Sequence, residues 1–150
     1  MRGRYFLWLL TILLLLFIGS LCYLQSGKAI IALEWLNATF PRFHEWLLRS
    51  ANNFPRVFHQ GWIEYHLSDI LWSASCAMII TGIWVNQFTL LKLLLLGMGC
   101  AIFYEVLQMV GVRGGTFDQL DMIYSLVSGA VATLFTYLLL KIKDDDNEET

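Results

Sequence analysis

Charge is scarce in this chain: only 15% of its residues are Asp, Glu, Lys or Arg, against 57% hydrophobic, and the mean hydropathy is +0.59. That balance excludes an ordinary soluble domain, whose surface needs far more polar side chains. Proline occurs twice, at Pro41 and Pro55, so no proline breaks a helix outside that neighbourhood. Cys22, Cys76 and Cys100 form no Cys-x-x-Cys and pair with no histidine in sequence, which excludes a disulfide or zinc framework. His44, His59 and His66 lack metal-ligand spacing. No Gly-x-Ser-x-Gly, His-Glu-x-x-His, phosphate-binding glycine loop or Ser-Lys pair is present, so no catalytic set can be named and no cofactor is implied. The net charge of -2 reports mainly Asp144, Asp145, Asp146, Glu148 and Glu149 in the tail, and nothing in it speaks for nucleic acid.

What the chain does have is long apolar runs. Four approach the roughly twenty residues a helix needs to cross the hydrocarbon of a bilayer: 5–24, 68–85, 90–109 and 120–142. The first follows Arg2 and Arg4, as a signal peptide would, but no small-residue cleavage site follows it. Gly19-Ser20-Leu21 before Cys22 also lacks the small residue a lipoprotein site wants, so an uncleaved helix is expected. Asn86-Gln87-Phe88-Thr89 is a tight joint, which makes the second and third spans an antiparallel pair.

Residues 25–66 differ in kind, gathering both prolines, all three histidines, and Trp35, Trp46 and Trp62. Apolar and polar residues alternate there at helical spacing, and the prolines should divide the segment into short pieces. Trp mixed with Arg and His is the composition of helices lying at a membrane surface. The expected fold is therefore an all-α membrane protein. It comprises a four-transmembrane-helix bundle with short interfacial helices between the first and second spans, a single membrane domain over 1–142 and an acidic cytoplasmic tail over 143–150. For orientation, five bases fall on each side, but Arg2, Arg4, Lys141 and Lys143 flank their spans closely. That favours both termini inside.

An even number of intervening spans carries the start of the second helix, the end of the third and the start of the fourth to one membrane face. Asp69, Glu105, Gln108, Asp118 and Asp121 lie there together with His66 and Arg113. An ionised group in such segments costs a few kcal/mol or more, so each placement needs a reason. Thr116 and Gln119 have the spacing of a capping box, with Asp118 and Asp121 in the favourable first turn. Ser68 and Asp69 allow the same argument at the second helix. Gly114 and Gly115 suit a tight turn. Glu105 resists such explanation. It sits about one turn from a helix C-terminus, where the dipole opposes negative charge, among Phe103, Tyr104, Val106 and Leu107. It is expected either to be neutral or to pair with Arg113 or a donor on a neighbouring helix. Gln108, three residues on, shares its face.

Small and hydroxyl residues continue these positions inward: Asp118, Asp121, Ser125, Ser128 and Ala132 on the fourth span, Asp69, Ser73 and Cys76 on the second. Such stripes mark close helix packing first and a ligand path second. The carboxylates could serve acid-base chemistry or hold a divalent cation, as in a membrane hydrolase or transferase acting on a lipid-linked phosphate, and with Arg113 an anionic head group is a further option. An assembly subunit that packs against other membrane proteins is the third.

Glu105-x-x-Gln108, an Arg, then Gly115-Thr-Phe-Asp118-x-x-Asp121 between the last two spans resembles the VanZ-like family of bacterial membrane proteins. Ser68-Asp69-Ile70-Leu71-Trp72 looks like the opening of some members, and the likeness covers roughly residues 66–140. The resemblance implies a small helical protein of the bacterial cytoplasmic (inner) membrane, linked through the founding member to low-level resistance to the glycopeptide teicoplanin. Members commonly carry an Asn and then a Gly after the second Asp. Here Ser125 stands at the Asn position and Ser128 precedes Gly129, which marks a divergent member. The partners expected are membrane lipids and a lipid-linked cell-wall component or other membrane proteins. The candidate binding residues are Asp69, Glu105, Gln108, Arg113, Thr116, Asp118 and Asp121.

Overall fold

The computed structural model describes residues 2–26, 31–56, 62–111 and 117–141. Arg113, Thr116, Gly114, Gly115, His59 and the 143–150 tail lie outside the described residues. The chain is all-helical, with six helices among the described residues: α1 (Arg2–Ser26), α2 (Ile31–Thr39), α3 (Pro41–Asn53), α4 (Trp62–Trp84), α5 (Leu90–Met109) and α6 (Gln119–Lys141). Four of them, α1, α4, α5 and α6, are long and apolar enough to cross a membrane.

The segment 25–66, expected to hold short interfacial pieces, resolves into α2, α3 and the first turn of α4. Pro41 falls in the first turn of α3, where its missing N–H is no loss. Phe54 ends that helix in extended backbone ahead of Pro55. Trp35, Phe40, Phe43, Trp46 and Phe54 are all exposed on this pair, beside the exposed Arg42 and Arg49. Gln25 ties the segment to α1 by donating its amide to the carbonyl of Ala51 at 3.0 Å.

The second span begins earlier than its apolar run. Residues 62–67 are helical although they include Glu64 and His66. A helix satisfies its own backbone and so continues past the apolar segment wherever the sequence contains no breaker. The third span coincides with its expected bounds, and the fourth is displaced by a single residue.

α4 is the central helix, packed on α1, α5 and α6, while α5 and α6 also pack on each other and α1 leans chiefly on α4. At one end of the bundle Val85, Leu93 and Leu140 form a buried cluster under Trp8, Trp84, Phe88 and Tyr137. There Arg4 donates to the carbonyl of Leu139 at 3.2 Å, so the start of α1 meets the end of α6. The first and last spans therefore open on the same side, as four crossings require.

Large apolar side chains point outward, among them Phe6, Leu10, Leu14 and Phe17 on α1 and Val127 and Val131 on α6. Between two clusters of larger apolar side chains the interior is rich in small and hydroxyl residues: Ser73, Ser75, Ala77, Thr81, Ala101, Ser125, Ala132 and Thr133 are all buried. Lipid tails are as apolar as leucine, so helices here associate by close packing and interhelical hydrogen bonds. On α6 the buried stripe runs through Ser125, Gly129, Ala132, Thr133 and Thr136, with Ser128 half-buried beside it. Two glycines set the α5–α6 distance. A Cβ on Gly97 would lie 2.0 Å from the Thr133 hydroxyl, and one on Gly129 would lie 2.7 Å from the Ala101 methyl.

Overpacking a filled interior costs typically 1–3 kcal/mol, so Gly97→Val is expected to destabilise the purified protein by about that amount. Gly99, whose Cβ would meet nothing within 4 Å, is the control. Gly99→Ala should be neutral or stabilising, because alanine is the better helix former. Thermal unfolding in detergent, comparing the two variants, measures both.

Candidate functional site

The register between α4 and α6 builds the site. Both helices run in the same direction, and their hydroxyls meet in pairs: Ser73 and Ser125 are hydrogen-bonded at 2.9 Å, and Thr81 and Thr133 at 3.2 Å. Each pair is separated by 52 positions in the chain. Asp69 and Asp121 have the same separation, so one turn beyond the serines the same register brings two carboxylates towards each other. Left alone, they would repel.

Each is held instead by a donor from elsewhere. The Tyr23 hydroxyl, near the end of α1, donates to Oδ1 of Asp69. Nδ1 of His66, one turn before Asp69 on α4, is bonded to Oδ1 of Asp121. His66 is itself buried, and its ring lies 5.2 Å from that of Tyr124. Ser68 is buried beside them and hydrogen-bonds the Tyr23 phenol. Behind this layer Ser73 also donates to the carbonyl of Ala101 on α5, at 3.2 Å.

Asp69 is therefore no helix cap. It lies two turns inside α4, whose first residue is Trp62, and its partner is on another helix. The capping box expected at Thr116 and Gln119 is likewise displaced, since α6 begins only at Gln119. Asp118 stands directly before it and accepts from the backbone N–H of Leu120 at 2.8 Å. It is the cap, and Asp121 occupies the first turn as expected.

Glu105 enters the cluster from α5 and is 6% exposed. Its Oε2 is buried with no hydrogen-bond partner among the described residues. Asp121, Asp69 and Asp118 all lie close enough to act on it electrostatically. Gln108 is half-buried, less enclosed than a buried Glu-Gln pair would be. Its backbone carbonyl accepts from Gly111 at 3.0 Å, closing α5. Gly111 has φ 72°, the left-handed conformation that ends many helices; the glycines singled out in the sequence, Gly114 and Gly115, lie further on.

Of the candidate residues, Asp69, Glu105, Asp118 and Asp121 thus come together at one end of the bundle, with Gln108 at its edge. Arg113 and Thr116 lie outside the described residues. Tyr23 was not legible from the sequence, because nothing in an apolar first span marks a phenol for a carboxylate 46 residues away. Among the described residues no three His, Cys, Asp or Glu side chains converge as a set able to hold a metal ion. Fold and cluster together define an all-helical, multi-pass membrane protein with a polar, carboxylate-rich layer at one end. No family model, no curated protein and no solved structure matches the chain.

Interacting residues show coupling of about 0.5–3 kcal/mol in double-mutant cycles. His66→Ala and Asp121→Asn are expected to couple within that range. Tyr23→Phe and His66→Ala, which act on different carboxylates, should be nearly additive. Equilibrium unfolding of the single and double variants in mixed micelles checks both statements.

Proposed function

We propose that this chain is a divergent VanZ-like protein of the bacterial cytoplasmic membrane, with both termini cytoplasmic. In this reading the polar layer of Tyr23, His66, Asp69, Glu105, Asp118 and Asp121 faces outward and binds a lipid-linked or cell-wall component. Binding of that component links the protein to teicoplanin-type glycopeptide resistance. One observation carries the proposal above the rest: four carboxylates from α4, α5, α6 and the residue that caps α6 are gathered at one end of the bundle, and the most buried of them keeps an oxygen with no hydrogen-bond partner among the described residues. Packing alone gives no reason to retain that arrangement, since an intramembrane acid of this kind is costly. The resemblance of the Glu105–Asp121 segment to the VanZ-like motif supports the same residues, and the flanking bases support the orientation.

The reading is tested by teicoplanin susceptibility in cells that express the chain with an epitope tag. Glu105→Ala and Asp69→Asn are expected to abolish protection at unchanged protein level. A charged hydrogen bond is worth about 1.5–3 kcal/mol, or roughly tenfold to a hundredfold in affinity. Protection that survives both substitutions at equal abundance would show that the layer is structural only.

A further inference from the structure

We propose that the Glu105 cluster takes a protonated primary amine. The inference rests on the reading of this layer as a binding site and names the chemistry of what enters it.

The accounting of acceptors leads there. Asp69 holds the Tyr23 hydroxyl, Asp121 holds His66, and Asp118 holds the Leu120 amide. These three carboxylates are oriented by the protein itself. Glu105 differs, being 6% exposed with Oε2 unpartnered among the described residues, and the charges that bear on it are carboxylates: Asp121, Asp69 and Asp118. A buried acceptor without a donor is rare in folded proteins and calls for a ligand, an ion or a water. The charges of the described residues that bear on Glu105, all carboxylates, favour a cation over an anion. The end of α5 adds the negative pole of its dipole one turn from Glu105.

Among cations, the spacing disfavours a metal. Metal–oxygen contacts of 2.0–2.6 Å require the ligands to crowd together, and no three ligating side chains converge that way among the described residues. An ammonium group carries three N–H donors and bonds at about 2.7–2.9 Å. It can rest on Glu105 while attracted by carboxylates that stay apart. A quaternary ammonium has the charge and no donor, and so leaves Oε2 unsatisfied. The amine can come from a lipid head group or from a soluble polyamine, and the chemistry at Glu105 is the same.

The full-length protein in nonionic detergent is titrated with n-octylammonium and, in parallel, with n-octyltrimethylammonium, following the thermal midpoint. Octylammonium is expected to raise the midpoint saturably and octyltrimethylammonium to leave it unchanged. Glu105→Gln should weaken octylammonium by roughly tenfold to a hundredfold. Glu45→Gln on α3, an exposed acid paired with Arg49 at 3.5 Å, should not. Competition by spermidine identifies a soluble source. Glu105-dependent retention of phosphatidylethanolamine from phosphatidylglycerol nanodiscs identifies a lipid one. Equal binding of the primary and quaternary ions by the wild-type protein overturns the proposal, as does undiminished octylammonium binding by Glu105→Gln. If octylammonium fails while teicoplanin protection still depends on Glu105, the amine is wrong and the wall-component reading stands. If octylammonium binds through Glu105 and protection ignores that residue, the amine stands and the wall-component reading falls.

Discussion

The parallel seam between α4 and α6 is the constraint on which the rest depends. Two hydroxyl pairs, Ser73–Ser125 and Thr81–Thr133, share one 52-residue offset and lie about two turns apart. In a medium without water, an interhelical hydroxyl bond contributes only about 0.6 kcal/mol on average. Two of them at one register nonetheless discriminate against a slide of one turn, which would leave both unmade. The same offset then decides what happens at the end of the bundle, where no hydroxyl is available and two aspartates take the corresponding places. The hydroxyl pairs and the carboxylate pair are thus one ladder, and its last rung is made of two aspartates.

That rung is held by side chains off the hydroxyl ladder. α1 contributes a phenol, α4 a histidine one turn earlier, and α5 a glutamate whose Oε2 has no hydrogen-bond partner among the described residues. The interior behind it shows how the distances arise. Gly97 and Gly129 remove the side chains that would hold α5 away from α6, and the Thr133 hydroxyl fills the space against the first of them. Close approach of α5 is what brings Glu105 within electrostatic range of aspartates on two neighbouring helices. The outward face, by contrast, is large, apolar and loosely specified, as lipid contact demands.

Much of this architecture was legible in the residues. Span number, the tight Asn86–Thr89 joint, the division of 25–66 into short helices and the inward stripe of small residues all follow from hydropathy and period. Convergence of Asp69, Glu105, Asp118 and Asp121 on one end follows from counting crossings. What failed is instructive. Asp69 looked like a cap because the apolar run starts beside it, yet helix boundaries follow backbone hydrogen bonds, and Trp62–Leu67 contains nothing to stop them. Thr116 looked like the cap of α6 because the motif spacing fits, whereas Asp118, closer to the helix, takes that role. The Tyr23–Asp69 and His66–Asp121 bonds join residues 46 and 55 apart, and no local pattern encodes a partner at that distance.

The bond between Tyr23 and Asp69 also sets an order of events. α1 is made before α4, and until α4 follows its phenol has no Asp69 to meet. Asp69 follows 46 residues later, by which time the short helices α2 and α3 have been made. The three later spans can settle against one another through their own small residues, but their aspartate is complete only when the first-made helix comes to lie along α4. Completion of the Tyr23–Asp69 bond therefore waits on the docking of α1 against α4, whatever the order in which the other spans pack.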